Sequence, residues 1–344
     1  MTINRTQLAE LEALLHDRVT TDLDERRIYS HDVGTLPRLV RPLIGAAIAD
    51  AVVQPRTEAE IVEVIRWAHR HRVPLTPRAK ATSGYGGCIP ARGGVVVDLS
   101  RYRGVVAVDP GAQTVTVRAA TVWRDLEREL ARSGLGLRLY PSSAPSSTVG
   151  GWLAQGGVGY GSFQYGPFRE NVVSARVVTP DGEVRTFEGP DLDLVSDAEG
   201  TTGIILEVTL RVRPVAEERV AAVAFPSAQA LAGALRALAA EALPLWSVSF
   251  INPKMAKLRR ELPPRLEHGH PVPEARPELP DGYVVTLVGP AAGWDEIEGR
   301  LASIIEAHKG ARLPAESVEL CLPEVLGGHA RDLPVVAAAL GGEP

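Results

Sequence analysis

Apolar and polar positions in the first third of the chain predict alternating helices and strands. Leucines recur at helical spacing within residues 6–16, which predicts an amphipathic helix. Thr57 is followed three residues later by Glu60, as in a capping box, and the apolar stripe that continues to Ala68 predicts a second helix. Continuous apolar runs are typical of buried strands. The runs in this region are 44–53, 73–77 and 95–99.

Short strand-like runs dominate the chain up to about residue 215. Asp109-Pro110-Gly111 and Pro180-Asp181-Gly182 are strong turn sequences, and each joins two runs into a predicted hairpin. A helical pattern begins at Thr121 and ends at Gly134. Segment 139–171 has no regular pattern and is predicted to be a long loop. The predicted strands are 105–108, 114–118, 172–179, 184–187 and 204–213.

After about residue 215 the predicted elements become longer. Their order is strand, Ala/Leu-rich helix, strand, basic helix, a Pro-rich segment, strand and helix. This order is typical of a split βαβ sandwich of the ferredoxin-like kind. The elements are 220–225, 227–241, 245–251, 253–262, 283–288 and 294–309, and the Pro-rich segment is 263–282.

Length and composition limit the classes of function. A chain of 344 residues with 45% apolar residues is long enough for about two domains with buried cores. The net charge of −5 argues against nucleic acid as a partner. The two cysteines, Cys88 and Cys321, form no CxxC pair, so we predict no iron–sulfur, zinc or other metal site within the chain.

The sequence carries no predicted targeting or membrane-spanning segment. Its N-terminus lacks the apolar core of a signal peptide, and the longest apolar stretch, 43–53, is too short to cross a bilayer. We therefore expect a cytoplasmic protein with no transmembrane segment, and any association with a membrane would be made through a partner.

Glycine is concentrated between Gly84 and Gly166, in two separate clusters. Successive backbone N–H groups in such loops form a concave site for an anion, and glycine lets a phosphate approach the main chain closely. The first cluster also contains two hydroxyl side chains, Thr82 and Ser83, and the cation Lys80. These loops predict a site for a buried phosphate-containing ligand.

The glycine clusters do not fit the nucleotide-binding motifs of Rossmann folds or P-loops. G-x-G-x-x-G must follow a strand and open a helix, but the run that begins at Gly157 has Ser162 in place of its last glycine. The run that begins at Gly84 ends in Ile89, and no G-x-x-x-x-G-K-[ST] sequence occurs. Conventional NAD and nucleoside triphosphate sites are therefore not predicted.

Residues 46–215 resemble the FAD-binding domain of the p-cresol methylhydroxylase and vanillyl-alcohol oxidase superfamily, most of all the glycolate and D-lactate dehydrogenase flavoproteins. The resemblance depends on several motifs that occur in the family's order. They are YSHD at 29–32, PRTEAEI at 55–61, PR at 77–78 with TS at 82–83 and Gly86, VVVDLS at 95–100, TVGG at 148–151 leading to YG at 165–166, and EGTTGII at 199–205.

This resemblance implies an α+β fold: a two-subdomain, non-Rossmann FAD-binding fold of the p-cresol methylhydroxylase type plus a short ferredoxin-like α+β cap domain. The expected domains are an N-terminal helical arm at 1–45, the FAD-binding domain at 46–215 and a short or incomplete substrate or cap domain at 216–344. In the family, FAD lies along the two glycine-rich loops and the strand that begins near Gly203.

The residues that the resemblance assigns to the cofactor come from three segments. The first supplies Pro77, Arg78, Ala79, Lys80, Ala81, Thr82, Ser83 and Gly86. The second supplies Pro141, Ser142, Ser147, Thr148, Gly150, Gly151, Gly157, Gly159, Ser162, Tyr165 and Gly166. The third supplies Glu199, Gly200, Gly203, Ile204 and Ile205.

The first segment departs from the family at one point. Relatives usually carry glycines where this chain has Ala79-Lys80-Ala81, and a charge-assisted contact from Lys80 is expected to offset that change. Covalent attachment in the superfamily uses a His in the first loop, sometimes with a Cys in the second. The first loop here has no His, and Ser146 or Ser147 stands about where the Cys would fall, so we expect non-covalent FAD.

The function that the resemblance implies is dehydrogenation of a small 2-hydroxy acid, such as glycolate or lactate, by hydride transfer to flavin N5. The partners expected are a small-molecule substrate and an iron–sulfur or other electron-transfer subunit. No catalytic base is evident, and His329 is the candidate for that role. Two alternatives stay open: an FAD-carrying electron-transfer subunit with little activity alone, and a binding module that lost FAD through the change at 79–81.

Overall fold

The computed structural model describes residues 3–34, 39, 48–261, 266–267, 270–271 and 279–314. His329 and Cys321 lie outside these residues. The helices in the described residues are α1 (Arg5–Leu15), α2 (Leu23–Ile28), α3 (Glu58–His71), α4 (Trp123–Ala131), α5 (Val149–Gln155), α6 (Ser162–Tyr165), α7 (Ala228–Ala240), α8 (Pro253–Glu261) and α9 (Trp294–Ala307). Short 3-10 helices cover His16–Arg18, Phe168–Asn171 and Gly189–Leu194.

The strands fall into two four-stranded sheets, one six-stranded sheet and one small hairpin within the described residues. They are β1 (Val19–Thr20), β2 (Ala51–Val53), β3 (Leu75–Arg78), β4 (Val95–Asp98), β5 (Val105–Asp109), β6 (Thr114–Arg118), β7 (Leu135–Leu137), β8 (Val172–Val178), β9 (Val184–Glu188), β10 (Ile204–Pro214), β11 (Glu218–Phe225), β12 (Ser247–Ile251), β13 (Leu266–Glu267), β14 (His270–Pro271), β15 (Tyr283–Pro290) and β16 (Ala311–Arg312).

The described residues form two compact units. The first contains the residues up to Val158 together with Pro167–Pro214. The second contains Gly159–Gly166 and the residues from Val215 onward. The helices α1 and α2 therefore belong to the first unit, and part of the second glycine cluster belongs to the second unit.

The first sheet of the first unit has the strand order β1-β2-β4-β3. Strands β2, β4 and β3 are parallel, and β1 pairs antiparallel with β2. Strands β2 and β3 run in the same direction on either side of β4, so the chain must cross over between them, and α3 supplies that connection. Leucines of α1 and the apolar stripe of α3 form one buried core with this sheet, including Leu11, Ile61, Trp67 and Val97.

Helix α3 begins as its sequence predicts. Thr57 Oγ1 accepts from the Glu60 N–H, and the Glu60 carboxylate accepts in return from the Thr57 N–H, which completes the capping box. The same carboxylate accepts hydrogen bonds from both terminal nitrogens of Arg18, at 2.6 and 2.7 Å. This bidentate pair joins the N-terminal segment to the start of α3, and the Arg18 hydrogen bond is the main reason that the pKa of Glu60 is lowered to about 2.

The second sheet of the first unit is antiparallel, with the order β5-β6-β10-β8-β9, and β7 pairs with the end of β10. Strand β10 is central and pairs with both β6 and β8. Its pairing with β8 shifts register between Ile205 and Glu207. The pairing of Glu207 with Arg118 places the start of β10 beside the end of β6.

The second unit contains a four-stranded antiparallel sheet with the order β12-β15-β11-β16. Helix α7 connects β11 to β12, and α9 connects β15 to β16. Apolar side chains of α7 and α9 share a core with β11 and β15, including Leu231, Leu301, Val223 and Leu287. Helix α8 contributes the buried Ala256 to a second small core with Val284.

The structure confirms the predicted helices at 6–16, 57–68, 121–134, 227–241 and 294–309, with ends that differ by a few residues. The predicted long loop 139–171 is wrong in part, because it contains α5 and α6. Of the predicted strand 44–53, the described residues show only Ala51–Val53 in a strand. No helix among the described residues is both long and apolar enough to cross a bilayer.

We expect Glu60→Gln to lower the free energy of unfolding by about 1–3 kcal/mol at pH 7, because Arg18 loses its ionised partner. The pKa of Glu60 is about 2 in the folded protein, against 4.5 ordinarily, so the unfolded chain takes up the proton first as the pH falls. The stabilisation is present above about pH 4.5 and is lost between there and pH 2. Urea unfolding at a series of pH values measures it.

Glu63→Gln is the matched control, because Glu63 forms an exposed ion pair with Arg66 on the same helix. That pair is expected to contribute less than about 0.5 kcal/mol. Equal losses of unfolding free energy for the two variants would contradict the stabilising role assigned to the Arg18–Glu60 pair. A loss for Glu60→Gln that does not become smaller at low pH would also contradict it.

Candidate functional site

A cleft in the first unit encloses about 1030 Å³ of space not filled by atoms, part of it open to solvent. Three kinds of segment line it: the carboxyl ends of β3 and β4, the junction between β6 and α5, and the turn that leads into β10. Ligands commonly bind at the carboxyl ends of parallel strands in open α/β sheets.

The loop after β3 forms the first wall of the cleft. Residues 79–84 have no hydrogen-bond partner for their backbone N–H groups among the described residues. Ala81 has a positive φ of 50°, which turns the chain here although no glycine is present. The exposed Lys80 side chain has no carboxylate within ion-pair distance in the described part of the chain. Consecutive free amides beside a cation are suited to a phosphate or diphosphate.

Helix α5 forms the second wall and lies directly on the end of β6. The Gly150 N–H donates to the Ala119 carbonyl at 2.8 Å, and the Val149 N–H donates to the Thr121 carbonyl at 3.0 Å. A Cβ at Gly150 would lie 2.5 Å from the Cβ of Ala119, so only glycine permits this approach. The next amide, of Gly151, donates to the capping hydroxyl of Thr148. The backbone N–H groups in the first turn of α5 therefore donate to acceptors within the protein rather than to a ligand.

Ser147 carries a buried hydroxyl on the same wall. Its side chain is 7% exposed, and its Oγ has no hydrogen-bond partner among the described residues. The main chain around it is held, because the Ser147 N–H donates to Ser143 and its carbonyl accepts from Trp123. A buried hydroxyl without a partner is destabilising, so its position at the cleft indicates that a ligand completes its hydrogen bonding.

The turn before β10 forms the third wall. Glu199 and Gly200 both have positive φ, 51° and 75°, and the Glu199 N–H donates to the Ala154 carbonyl at 2.8 Å. Gly203 has a φ of 154°, and a Cβ there would lie 2.4 Å from the Val178 carbonyl oxygen. The chain thus needs glycine at 203 to enter β10 beside β8. The register shift between Ile205 and Glu207 is a local irregularity of the kind often found next to binding sites.

Most of the residues that the sequence assigns to a cofactor line this one cleft. They are Pro77, Arg78, Ala79, Lys80, Ala81, Thr82, Ser83, Ser147, Thr148, Gly150, Gly151, Glu199, Gly200, Gly203, Ile204 and Ile205. Arg78 borders the cleft, but its guanidinium donates to the His31 carbonyl oxygen at 2.6 Å, so its charge is directed toward the N-terminal segment.

The remaining assigned residues do not line the cleft. They are Gly86, Pro141, Ser142, Gly157, Gly159, Ser162, Tyr165 and Gly166. The Gly86 N–H donates to Asp32 instead, at 2.7 Å. The segment Gly159–Gly166 belongs to the second unit, where Ser162 Oγ accepts from the Gly159 N–H at 2.9 Å. For the residues of this segment a cofactor role stays a prediction.

Several residues of the cleft are not among those that the sequence assigned to the cofactor. They are Gly87, Cys88, Leu99, Ala119, Ala120, Ser143, Trp152, Ala154 and Gln155. Most are small or apolar and carry no motif of their own, and only the neighbouring glycine clusters could have pointed to them. Cys88 is half-buried, and burial raises the pKa of its thiol while the nearby charge of Arg78 opposes that shift.

Residues 49–188 match the FAD binding domain family. Mitochondrial D-lactate dehydrogenase (cytochrome) from Arabidopsis thaliana is 33% identical over 230 residues, which are 64% of this chain and 39% of that protein. Glycolate oxidase subunit GlcD from Bacillus subtilis is 30% identical over 182 residues, which are 50% of this chain and 39% of that protein. The chain thus spans about two-fifths of the length of these curated relatives.

Solved structures of alkyldihydroxyacetonephosphate synthase share the fold. One superimposes with a TM-score of 0.77 at 22% identity, covering 94% of this chain and 66% of that one. The likeness confirms the expected mixed α and β fold. The cleft lies largely within the residues that match the FAD family, and its free amides, buried hydroxyl and close-packed glycines fit a dinucleotide.

We expect Gly150→Ala to destabilise the first unit by about 1–3 kcal/mol, because the added methyl group overlaps Ala119. Gly299→Ala is the matched control: that glycine is exposed in α9, and nothing lies within 4 Å of its added Cβ. There alanine should stabilise by up to about 1 kcal/mol through helix propensity. Denaturant unfolding of both variants measures the difference, and a neutral Gly150→Ala would contradict the described packing.

We expect Ser147→Ala to weaken FAD binding about 3–10-fold, the worth of one hydrogen bond, without lowering the stability of the FAD-free protein. The stability should hold because the substitution removes a buried hydroxyl that has no partner in the described residues. Ser146→Ala, at an exposed neighbour outside the cleft lining, should change neither quantity. Flavin fluorescence titration and thermal unfolding measure them, and equal FAD affinities for both variants would overturn the assignment.

Proposed function

We propose that this protein is an FAD-dependent oxidoreductase that dehydrogenates a small 2-hydroxy acid. The proposal starts from the match of residues 49–188 to the FAD binding domain family. The observation that carries the proposal is the coincidence of that match with the cleft. Its walls combine unpartnered amides at 79–84, the cation Lys80 and the buried hydroxyl of Ser147. The choice of a 2-hydroxy acid is supported by the names of the two relatives, which are a D-lactate dehydrogenase and a glycolate oxidase subunit.

Each part of the cleft has a separate task in this proposal. The amides of 79–84 and the Lys80 ammonium would hold the diphosphate of FAD, because both offer positive charge at short range. The glycines of α5 and the two alanines that follow β6, Ala119 and Ala120, keep the floor of the cleft free of large side chains, so that a planar ring system can approach the main chain. When bound, FAD supplies the hydride acceptor, and the protein supplies position and polarity.

The attachment of FAD is proposed to be non-covalent. The loop at 79–94 contains no His, and Ser146 or Ser147 stands about where a second linking residue would fall. A serine side chain has no sulfur atom and therefore cannot form a thioether bond to flavin. Hydrogen bonds, close packing and Lys80 would therefore hold the cofactor reversibly.

The second unit is proposed to be a ferredoxin-like cap domain. The strand order β12-β15-β11-β16 supports this proposal, because α7 connects β11 to β12 and α9 connects β15 to β16, as in a ferredoxin-like fold. Substrate side chains and the catalytic base are expected from this region, and His329 remains the candidate for the base. A cytoplasmic location also stays part of the proposal.

The alternative function is an FAD-carrying electron-transfer subunit of a larger complex. The Bacillus subtilis relative, which is named as a subunit of glycolate oxidase, supports it. In that case an iron–sulfur or other redox subunit would receive the electrons. The two functions differ in whether the purified chain reduces its own flavin with a 2-hydroxy acid.

Purified protein incubated with FAD is expected to show absorbance bands near roughly 370 and 450 nm, which belong to the oxidised cofactor. Anaerobic D-lactate, L-lactate or glycolate should bleach the band near 450 nm, since hydride transfer removes the oxidised chromophore. Acid treatment should release all of the colour, because the attachment is non-covalent. Stopped-flow absorbance and analysis of the acid supernatant measure these outcomes.

A protein that stays colourless with excess FAD would end the cofactor proposal. Colour that stays in the acid pellet would refute non-covalent attachment alone. A yellow protein that no 2-hydroxy acid bleaches, but whose chemically reduced flavin passes electrons to a dye, would favour the electron-transfer subunit.

A further inference from the structure

The loop that would receive the diphosphate has little structure of its own. We define residues 79–87 as the cofactor loop. Within it, the Tyr85 N–H donates to Ser83 Oγ at 3.3 Å, and the Gly86 carbonyl accepts from the Ile89 N–H just beyond it. A loop so weakly connected to itself needs an external support to keep its amides in one arrangement.

Asp32 supplies one such support from the N-terminal segment. Its carboxylate is 7% exposed, and Oδ2 accepts from the Gly86 N–H at 2.7 Å while Oδ1 accepts from the Gly34 N–H at 2.8 Å. The bond from Gly86 therefore connects the cofactor loop to a residue of the N-terminal segment 54 positions earlier in the chain. Charge-assisted bonds of this kind are among the stronger hydrogen bonds in proteins.

Arg78 supplies a second support from the other end of the loop. Its guanidinium donates to the carbonyl oxygens of His31 at 2.6 Å and Tyr29 at 3.3 Å, and it lies 5.3 Å from the centre of the Tyr29 ring. The planar, multiply donating guanidinium suits two carbonyls and a ring face together, which an ammonium does not. The residue that opens the cofactor loop is thus tied to the segment 29–31.

Backbone packing brings the two segments together in a third way. The Val33 N–H donates to the Ser83 carbonyl at 3.3 Å. A Cβ at Gly34 would lie 2.4 Å from the carbonyl oxygen of Gly84, so only glycine allows the two main chains to approach this closely. These contacts hold the middle of the cofactor loop without using the free amides of 79–84.

We propose that residues 29–34, which we name the clamp segment, fix the cofactor loop in its diphosphate-binding conformation, with Asp32 as the principal positioning residue. The inference rests on the proposed FAD site. Asp32 and the rest of the clamp segment are absent from the cleft lining, so they act through the loop and not on the ligand. The clamp segment should affect binding of the phosphate-containing part of the ligand, because the loop it holds is the one with unpartnered amides.

Binding of a diphosphate and docking of the clamp segment are coupled in this arrangement. If the docked clamp favours the binding conformation of the loop, a bound diphosphate must favour docking of the clamp by the same factor. Hydrogen exchange at the Val33 and Gly34 amides should therefore slow when FAD or ADP binds, although both donate to protein atoms and not to the cleft.

The test compares three ligands on full-length Asp32→Ala: FAD, ADP as a diphosphate without flavin, and riboflavin as a flavin without phosphate. We expect the affinities for FAD and ADP to fall about tenfold or more, the range for loss of charge-assisted hydrogen bonds. The substitution removes no contact with the flavin, and a tenfold loss of affinity would require about 1.4 kcal/mol of binding free energy. The affinity for riboflavin should therefore stay within about twofold of the wild-type value.

Asp22→Ala is the matched control, since Asp22 also accepts two backbone N–H groups, at 3.0 Å each, but at the start of α2 and away from the cofactor loop. It should leave all three affinities unchanged. Gly34→Ala tests the same idea by steric means without removing an acceptor, and it should reproduce the loss of FAD and ADP affinity. Circular dichroism shows whether each variant is folded.

The outcomes separate the clamp from the site itself. Wild-type protein that binds neither FAD nor ADP would overturn the proposed function. Wild-type protein that binds FAD, together with Asp32→Ala and Gly34→Ala that bind it equally well, would overturn only the clamp. Equal losses for FAD, ADP and riboflavin would also overturn it, because they would indicate general unfolding of the cleft rather than positioning of the diphosphate loop.

Discussion

A run of backbone amides without internal partners is the constraint on which the rest of the first unit depends. The N–H groups of residues 79–84 find no acceptor among the described residues, and such groups are rare unless solvent or a ligand reaches them. A regular helix or strand would satisfy them and destroy the site. The fold must therefore hold an irregular segment in place from outside.

The two sheets of the first unit provide this support in different ways. The parallel pairing of β3 and β4 fixes both ends of the loop, since β3 leads into it and β4 leads out. The antiparallel sheet places the end of β6 beside the start of β10, and the Ala119 N–H donates to the Leu206 carbonyl at 2.8 Å. Helix α5 then docks on that junction through Gly150. Three segments distant in sequence thus form one cleft.

The sequence predicted what depends on local patterns and missed what depends on distant contacts. The capping box at Thr57 and Glu60 identified α3, because both partners lie within one turn. Helix α5 was missed because it has seven residues, two of them glycine, and its stability comes from the Thr148 cap and from packing on Ala119. The bond from Gly86 to Asp32 spans 54 residues, so no local pattern could show that Gly86 faces the N-terminal segment.

The alanines and lysine at 79–81, where relatives usually carry glycines, leave the backbone amides of the loop without acceptors among the described residues. Ala81 has a φ of 50°, which glycine adopts freely and alanine adopts at a cost of about 1 kcal/mol. Alanine also has fewer conformations than glycine in the unfolded chain, so less entropy is lost when the loop is ordered. Two contacts of the clamp segment, that of Asp32 with Gly86 and that of His31 with Arg78, oppose the local strain. A loop that is restricted before a ligand arrives loses less freedom on binding, and the side chain of Lys80 adds charge where a glycine would add none.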